Sequence, residues 1–192
     1  MNWNGHWVRT PAKGIKHFGT QREFKPWPSW MVDALTGAPE RVRVLANVML
    51  GTGQRPSAAV AMRHDQFQGE WMTVTDEKGN ETLDVYCPLP LRKFIETLPV
   101  EGEHLQPKSP TEPLTYHAVE KTFSAWRTSL GPRAKEYTLH GLRKLAIIQL
   151  AEAGASDAEI QAVTGQSRET VAYYRKKASR KVLSKSAQQL RE

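Results

Sequence analysis

A single cysteine, Cys87, stands in the whole chain, which excludes a disulfide framework and any zinc site built on paired cysteines. The six histidines, at 6, 17, 64, 104, 117 and 140, never stand four residues apart, so a helical metal-ligand pair is missing as well. No apolar run approaches the roughly 20 residues that cross a bilayer. The opening MNWNGHWVRT lacks the apolar centre of a signal peptide. No internal repeat and no low-complexity segment is present. The expectation is a cytoplasmic chain with no membrane partner, working without a metal or other cofactor.

Acidic residues are also in deficit. Against 27 lysines and arginines stand 20 aspartates and glutamates, a formal charge of +7 over 192 residues. Fixed cations release condensed counterions when they meet a phosphate backbone, so the balance favours nucleic acid as partner over a membrane surface. The length suits one domain with a core of its own.

Residues 1–27 carry glycines, prolines and scattered cations without a sustained period, and read as a linker or N-terminal arm. From Pro28 to Leu50 the pattern is helical, with Pro39 in the first turn of PERVRVLANVML. GTGQRPS breaks it, and SAAVAMR starts a short helix. Residues 69–89 predict a β-hairpin around the tip DEKGN. Helical patterns follow in LRKFIETL, in LTYHAVEKTFSAWRTSL and in LHGLRKLAIIQLAEAG, the last closed by Gly154. Ser156 and Glu159 form a capping box that opens DAEIQAVT, which ends at Gly165. A final helix is expected from Ser167 to beyond Lys181. The fold class that results is mainly α with a small antiparallel β-sheet, an α+β arrangement.

Arg143 is conspicuous in this frame. The helix LHGLRKLAIIQLAEAG is apolar nearly all round, yet Arg143 shares a face with Ala146, Ile147 and Leu150, and His140 lies one turn earlier. A buried guanidinium needs a partner. Either Arg143 pairs with a core carboxylate, or it belongs to an anion site with a histidine beside it. Arg55, in the glycine-flanked turn GTGQRPS, is a surface arginine at a helix start or a second anion ligand. Lys78 in DEKGN is a solvated hairpin tip, or an ammonium on a mobile reach that delivers a proton. In TGQSRETVAYYRKKASRK, Val171, Tyr174, Ala178 and Val182 share one helical face, while Tyr173 points with Lys177 and Arg180 towards solvent. Tyr174 is then a half-buried core tyrosine or a phenol placed for chemistry.

Taken in order, GTGQRPS, the hairpin lysine, LHGLRKLAIIQLAEAGAS and TGQSRETVAYYRK resemble the catalytic domain of the tyrosine recombinases, the phage integrase family, over residues 28–182. The resemblance implies catalytic roles for Arg55, Lys78, His140, Arg143 and a tyrosine of AYYRK. An ungapped count from the glycine falls on Arg175, and a one-residue deletion near Arg168 selects Tyr174, the residue that helical phase selects as well. The family's glycine-histidine dipeptide is here Gly165 and Gln166, and an amide donates a hydrogen bond but carries no proton. An acidic residue common after the R-x-S pattern is replaced by Ala58.

The implied activity is site-specific recombination, cutting and rejoining double-stranded DNA through a 3′-phosphotyrosyl intermediate, without a small-molecule substrate. It implies self-association on DNA as a dimer or tetramer, in a prokaryotic cell or a mobile element. Residues 28–182 are then an integrase catalytic domain without its core-binding domain, and 183–192 a C-terminal tail. Two other expectations stay open: a DNA-binding protein of the same fold that has lost catalysis, and a DNA-relaxing enzyme like the type IB topoisomerases.

Overall fold

The computed structural model describes residues 24–75 and 82–189. Helix α1, Ser29–Asp33, is followed by a 3-10 turn, Ala34–Gly37, and by α2, Glu40–Thr52. Pro39 sits at the N-cap of α2, one position before the first helical residue. Val42, Val44, Leu45, Ala46, Val48 and Met49 of α2 are all buried, which leaves almost no face for solvent and makes this helix the centre of the fold. It packs against α4 (Leu89–Glu96), α5 (Tyr116–Ser129) and α6 (His140–Glu152).

Gly53 ends α2 in the left-handed region, with φ +64°. A Cβ there would stand 2.6 Å from Cγ2 of Thr164, so the glycine is required both by its backbone angle and by close approach. The chain then turns through Arg55, in extended conformation, into α3, Pro56–Val60. At five residues α3 has little dipole of its own, so the anion attraction expected at its start rests on the Arg55 side chain rather than on the helix.

The sheet is antiparallel in the order β1 (Phe67–Gln68), β2 (Trp71–Thr75), β3 (Thr82–Tyr86). Trp71 pairs with Tyr86 and Val74 with Leu83. Met72, Val74 and Val85 face the core, and the alternating positions face outward, as a half-buried hairpin requires. The predicted tip, including Lys78, lies outside the described residues.

The C-terminal part is a second packing unit made by α6, α7 (Asp157–Thr164) and α8 (Arg168–Arg175). Ile147, Ile148, Ala151, Ile160, Val171 and Tyr174 form its interior. The expected capping box is present: the Ser156 hydroxyl accepts from the Glu159 amide, and the Glu159 carboxylate accepts from the Ser156 amide at 2.6 Å. Gly165 closes α7 with φ +59°.

Two expectations are corrected here. The last helix does not run unbroken past Lys181. It stops at Arg175, and α9 begins afresh at Arg180–Gln189. The Ser179 amide between them donates to the Glu152 carboxylate at 2.7 Å, and the Ser179 hydroxyl accepts from the Val182 amide, so Ser179 serves as a cap rather than an interior residue. Val182 is therefore exposed instead of continuing the apolar stripe. The end of the arm also belongs to the body. Trp27 is 2% exposed, its Nε1 donates to the Thr138 carbonyl at 2.7 Å, and its ring stacks on Phe123. Gly141 makes room for this segment, since a Cβ there would press on Trp27 Cδ1 at 2.9 Å.

Candidate active site

A pocket of about 230 Å³ opens where the segment before α1, the α2–α3 turn, α6 and the α7–α8 connection meet. Arg55, His140, Arg143 and Gln166, four residues singled out by sequence, line it together with Lys144 and Phe24. The convergence has a local cause. Gly53 lets the end of α2 touch Thr164, and the Thr164 carbonyl accepts a hydrogen bond from Arg143 Nη2 at 3.1 Å. One buried threonine therefore fixes the turn carrying Arg55 and the helix carrying Arg143 to the same point. A smaller adjoining cavity is bordered by Arg55, Arg143 and the strand residues Val74 and Leu83, so the hairpin springs from beside the two arginines.

The electrostatics are one-sided. Burial, followed by the charges of Lys144, Arg143 and Arg55, holds His140 below the ordinary histidine range. Burial and then Arg143 and Arg55 bring Lys144 down from 10.5 to about 8. Among the described residues, the charges that act on these two groups are those of cations. An anion entering the pocket would relieve this mutual repulsion, and an imidazole of lowered pKa is suited to accept a proton or a hydrogen bond.

Tyr174 and Tyr173 diverge as helical phase requires. Tyr174 is 6% exposed and Tyr173 is 46% exposed, and their rings stand nearly perpendicular, 5.0 Å apart. Tyr174 lies behind the pocket, with Lys144 Nζ 4.6 Å from its ring centre. Its hydroxyl donates to the backbone carbonyl of Phe24 at 3.4 Å. The Phe24 ring stacks on His140 at 4.6 Å, so the segment before α1 forms one wall of the pocket. On the solvent side Lys177 Nζ stands 5.0 Å from the Tyr173 ring, the basic rim expected for that tyrosine.

Sequence reasoning missed Lys144 and Phe24. Lys144 carried a signal, because it lies four residues after His140 and shares its helical face. Phe24 carried none, since its partners His140 and Tyr174 are distant in the chain. Among the described residues, no group of three His, Cys, Asp or Glu side chains lies close enough to hold a metal ion. None of the described helices is long and apolar enough to cross a membrane.

The family model described as "Phage integrase family" matches residues 30–181. Among solved structures, a lambda integrase fragment, crystallised as a dimer bound to a COC′ core site, superposes with a TM-score of 0.69 at 19% identity. The match covers 85% of this chain and 63% of that one. XerH site-specific recombinase in its post-cleavage complex with palindromic difH gives 0.65 at 16% identity, over 90% of this chain and 54% of that one. The Tn1549 transposon integrase, in complex with a circular intermediate DNA, gives 0.63 at 13% identity, over 87% and 65%. This chain thus spans less than two thirds of each, and at these identities the likeness is one of fold. The curated proteins give no match.

Proposed function

We propose, on the premise that this chain belongs to the phage integrase family of tyrosine recombinases, that residues 28–182 form a unit that cuts and rejoins duplex DNA. The observation that carries the proposal is the meeting of Arg55, His140, Arg143 and Gln166 in one cationic pocket with Tyr174 at its back.

In the proposed step the Tyr174 phenol oxygen attacks the scissile phosphorus. The P–O5′ bond breaks, a 3′-phosphotyrosyl bond forms, and the 5′ oxygen leaves as a hydroxyl. A second 5′-hydroxyl then attacks the phosphotyrosyl bond and returns the tyrosine. The number of phosphoester bonds is unchanged at each step, so no nucleotide is consumed. Arg55 and Arg143 would grip the non-bridging oxygens in forked geometry as charge builds on them. His140, its pKa lowered by burial and then by its cationic neighbours, is suited to take the phenol proton. Gln166 would donate to a phosphate oxygen or to the leaving oxygen. The proton for the leaving group is assigned to Lys78 by resemblance to the family. Tyr174 must exchange the Phe24 carbonyl for the phosphate before it attacks, so substrate has to displace that contact.

Association as a dimer or tetramer on DNA is part of the same proposal, and the dimeric lambda integrase fragment on its core site supports it. One observation favours a second reading, in which the fold holds DNA without cutting it: Tyr174 is nearly buried and its hydroxyl is already satisfied by main chain. The test is trapping of a covalent adduct on nicked duplexes, with Tyr174→Phe and Tyr173→Phe beside the parent and mass analysis of the DNA-linked peptide. An adduct lost only in Tyr174→Phe establishes the reaction and its nucleophile. DNA binding without any adduct establishes the second reading, and relaxation of plasmids without a specific site marks a topoisomerase-like enzyme instead.

A further inference from the structure

An amide at position 166 raises a question that a histidine would not. A glutamine side chain has a donor end and an acceptor end, and which of them faces the substrate depends on what holds the other. Lys144 Nζ lies 3.3 Å from Gln166 Oε1. An ammonium only donates, so the atom facing it must be the oxygen, and Nε2 is turned the other way. Nε2 is buried and has no hydrogen-bond partner among the described residues. A buried N–H left unpaired calls for an explanation. Here the explanation is an acceptor that arrives with the substrate, since Gln166 lines the pocket that also holds Arg55, His140 and Arg143.

The same ammonium faces the ring of Tyr174 at 4.6 Å, within reach of a cation–π contact. Lys177 approaches that ring at 5.5 Å. Lys144 thus touches two side chains that converge on the pocket from the α7–α8 connection and from α8, and it does so from α6.

We propose that Lys144 is a positioning residue for strand transfer: its ammonium holds the amide oxygen of Gln166, so that Nε2 donates to a phosphate oxygen of DNA, and steadies the ring of Tyr174. The proposal rests on the strand-transfer reading of this site. Lys144 forms and breaks no covalent bond in it. The arrangement is sensitive to protonation, because a neutral amine accepts as well as donates and lets the amide turn over. The groups facing Lys144 among the described residues are His140 and Arg143 on its own helix, Arg55 from the α2–α3 turn, Gln166 from the α7–α8 connection and Tyr174 from α8, with Lys177 also near the Tyr174 ring. Burial and the two arginines bring the Lys144 ammonium to about 8, so the switch falls in an accessible range.

The test compares parent, Lys144→Met and Lys144→Arg in adduct formation at sub-saturating nicked duplex across pH 6 to 10, where the rate reports groups of the free enzyme. The parent is expected to lose rate as pH rises through about 8. Lys144→Met is expected to be slower by about tenfold or more and to lack that limb. Lys144→Arg, a permanent cation and donor, is expected to recover much of the rate and to move the limb upward. Addition of Gln166→Ala to Lys144→Met should cost little more, because both remove one arrangement. A Lys144→Met enzyme with parental rate and limb overturns the proposal, and so do Met and Arg variants that are equally slow with the parental limb.

A second readout needs no catalysis. The Gln166 side-chain amide signals in a labelled NMR sample should shift with the titration of Lys144 in the parent and stay still in Lys144→Met. Amide signals that ignore the lysine overturn the proposal. Titrating signals in a parent that forms no adduct leave the Lys144–Gln166 arrangement standing and reject the strand-transfer reading.

Discussion

The hydroxyl of Tyr174 donates to the main-chain carbonyl of Phe24 at 3.4 Å, while the ring of the same Phe24 stacks on His140 at 4.6 Å. One residue of the segment before α1 therefore covers both the proposed nucleophile and its proposed base.

Removal of that ring should be felt by the histidine. Phe24→Ala opens His140 to water and weakens the first cause of its lowered pKa, which is burial. The imidazole is expected to titrate closer to the ordinary value near 6.5, as followed by proton NMR. The Tyr174 contact should survive, because its acceptor is backbone.

The same histidine gives stability a pH dependence. Its pKa is lower folded than unfolded, so the unfolded chain takes up the proton first. The stability it contributes is present above about 6.5 and is lost as pH falls from there through the lower folded value. Urea unfolding of the parent at pH 7.5 and pH 5 should show this loss, and His140→Gln should reduce it.

Two glycines of similar backbone angle separate strain from crowding. Gly165→Ala, at φ +59° with nothing within 4 Å of the new Cβ, should destabilise by about 1 kcal/mol. Gly53→Ala, at φ +64° with Thr164 Cγ2 at 2.6 Å, should cost about 2–4 kcal/mol, because side-chain overlap is added to the same strain. Denaturant midpoints measure both, and equal losses would show that the Thr164 contact gives way easily.

Lys144→Met should make the DNA-free protein more stable at neutral pH even as it slows the proposed reaction. The charged form of Lys144 is disfavoured by burial and by two arginines, and a thioether of similar length removes that repulsion. Thermal unfolding at pH 7 should give a higher midpoint for the variant.

Binding to duplex DNA should depend steeply on salt and weakly on sequence. With several phosphates engaged by a chain of charge +7, affinity is expected to fall by about a hundredfold or more between roughly 50 and 200 mM salt. A titration with unchanged affinity over that range would remove backbone phosphates as the main contact.

What was legible in the sequence was what neighbours in the chain decide. The helical pattern of α2, the Ser156–Glu159 capping box, the glycine that ends α7 and the opposite faces of Tyr173 and Tyr174 all follow from spacings of a few residues. The break after Arg175 was hidden, because the carboxylate that receives the Ser179 amide comes from Glu152 on another helix. Arg55 and Arg143 could be named from their motifs, but the Gly53–Thr164 contact that joins their supports could not. Lys144 could have been found by the same four-residue step that links it to His140. Phe24 could not, since its contacts with His140 and Tyr174 are fixed only when Gly141 lets the segment before α1 lie against α6.

The acceptor that occupies the Tyr174 hydroxyl is a carbonyl, and every residue type carries one. No substitution at position 24 deletes it, so the resting place of the phenol is written in the path of the chain rather than in its lettering. Only displacement of the segment before α1 vacates it, and that segment is pinned by Trp27 in the core. Freedom of the tyrosine is therefore a matter of leverage, for which the Trp27 anchor is the fulcrum.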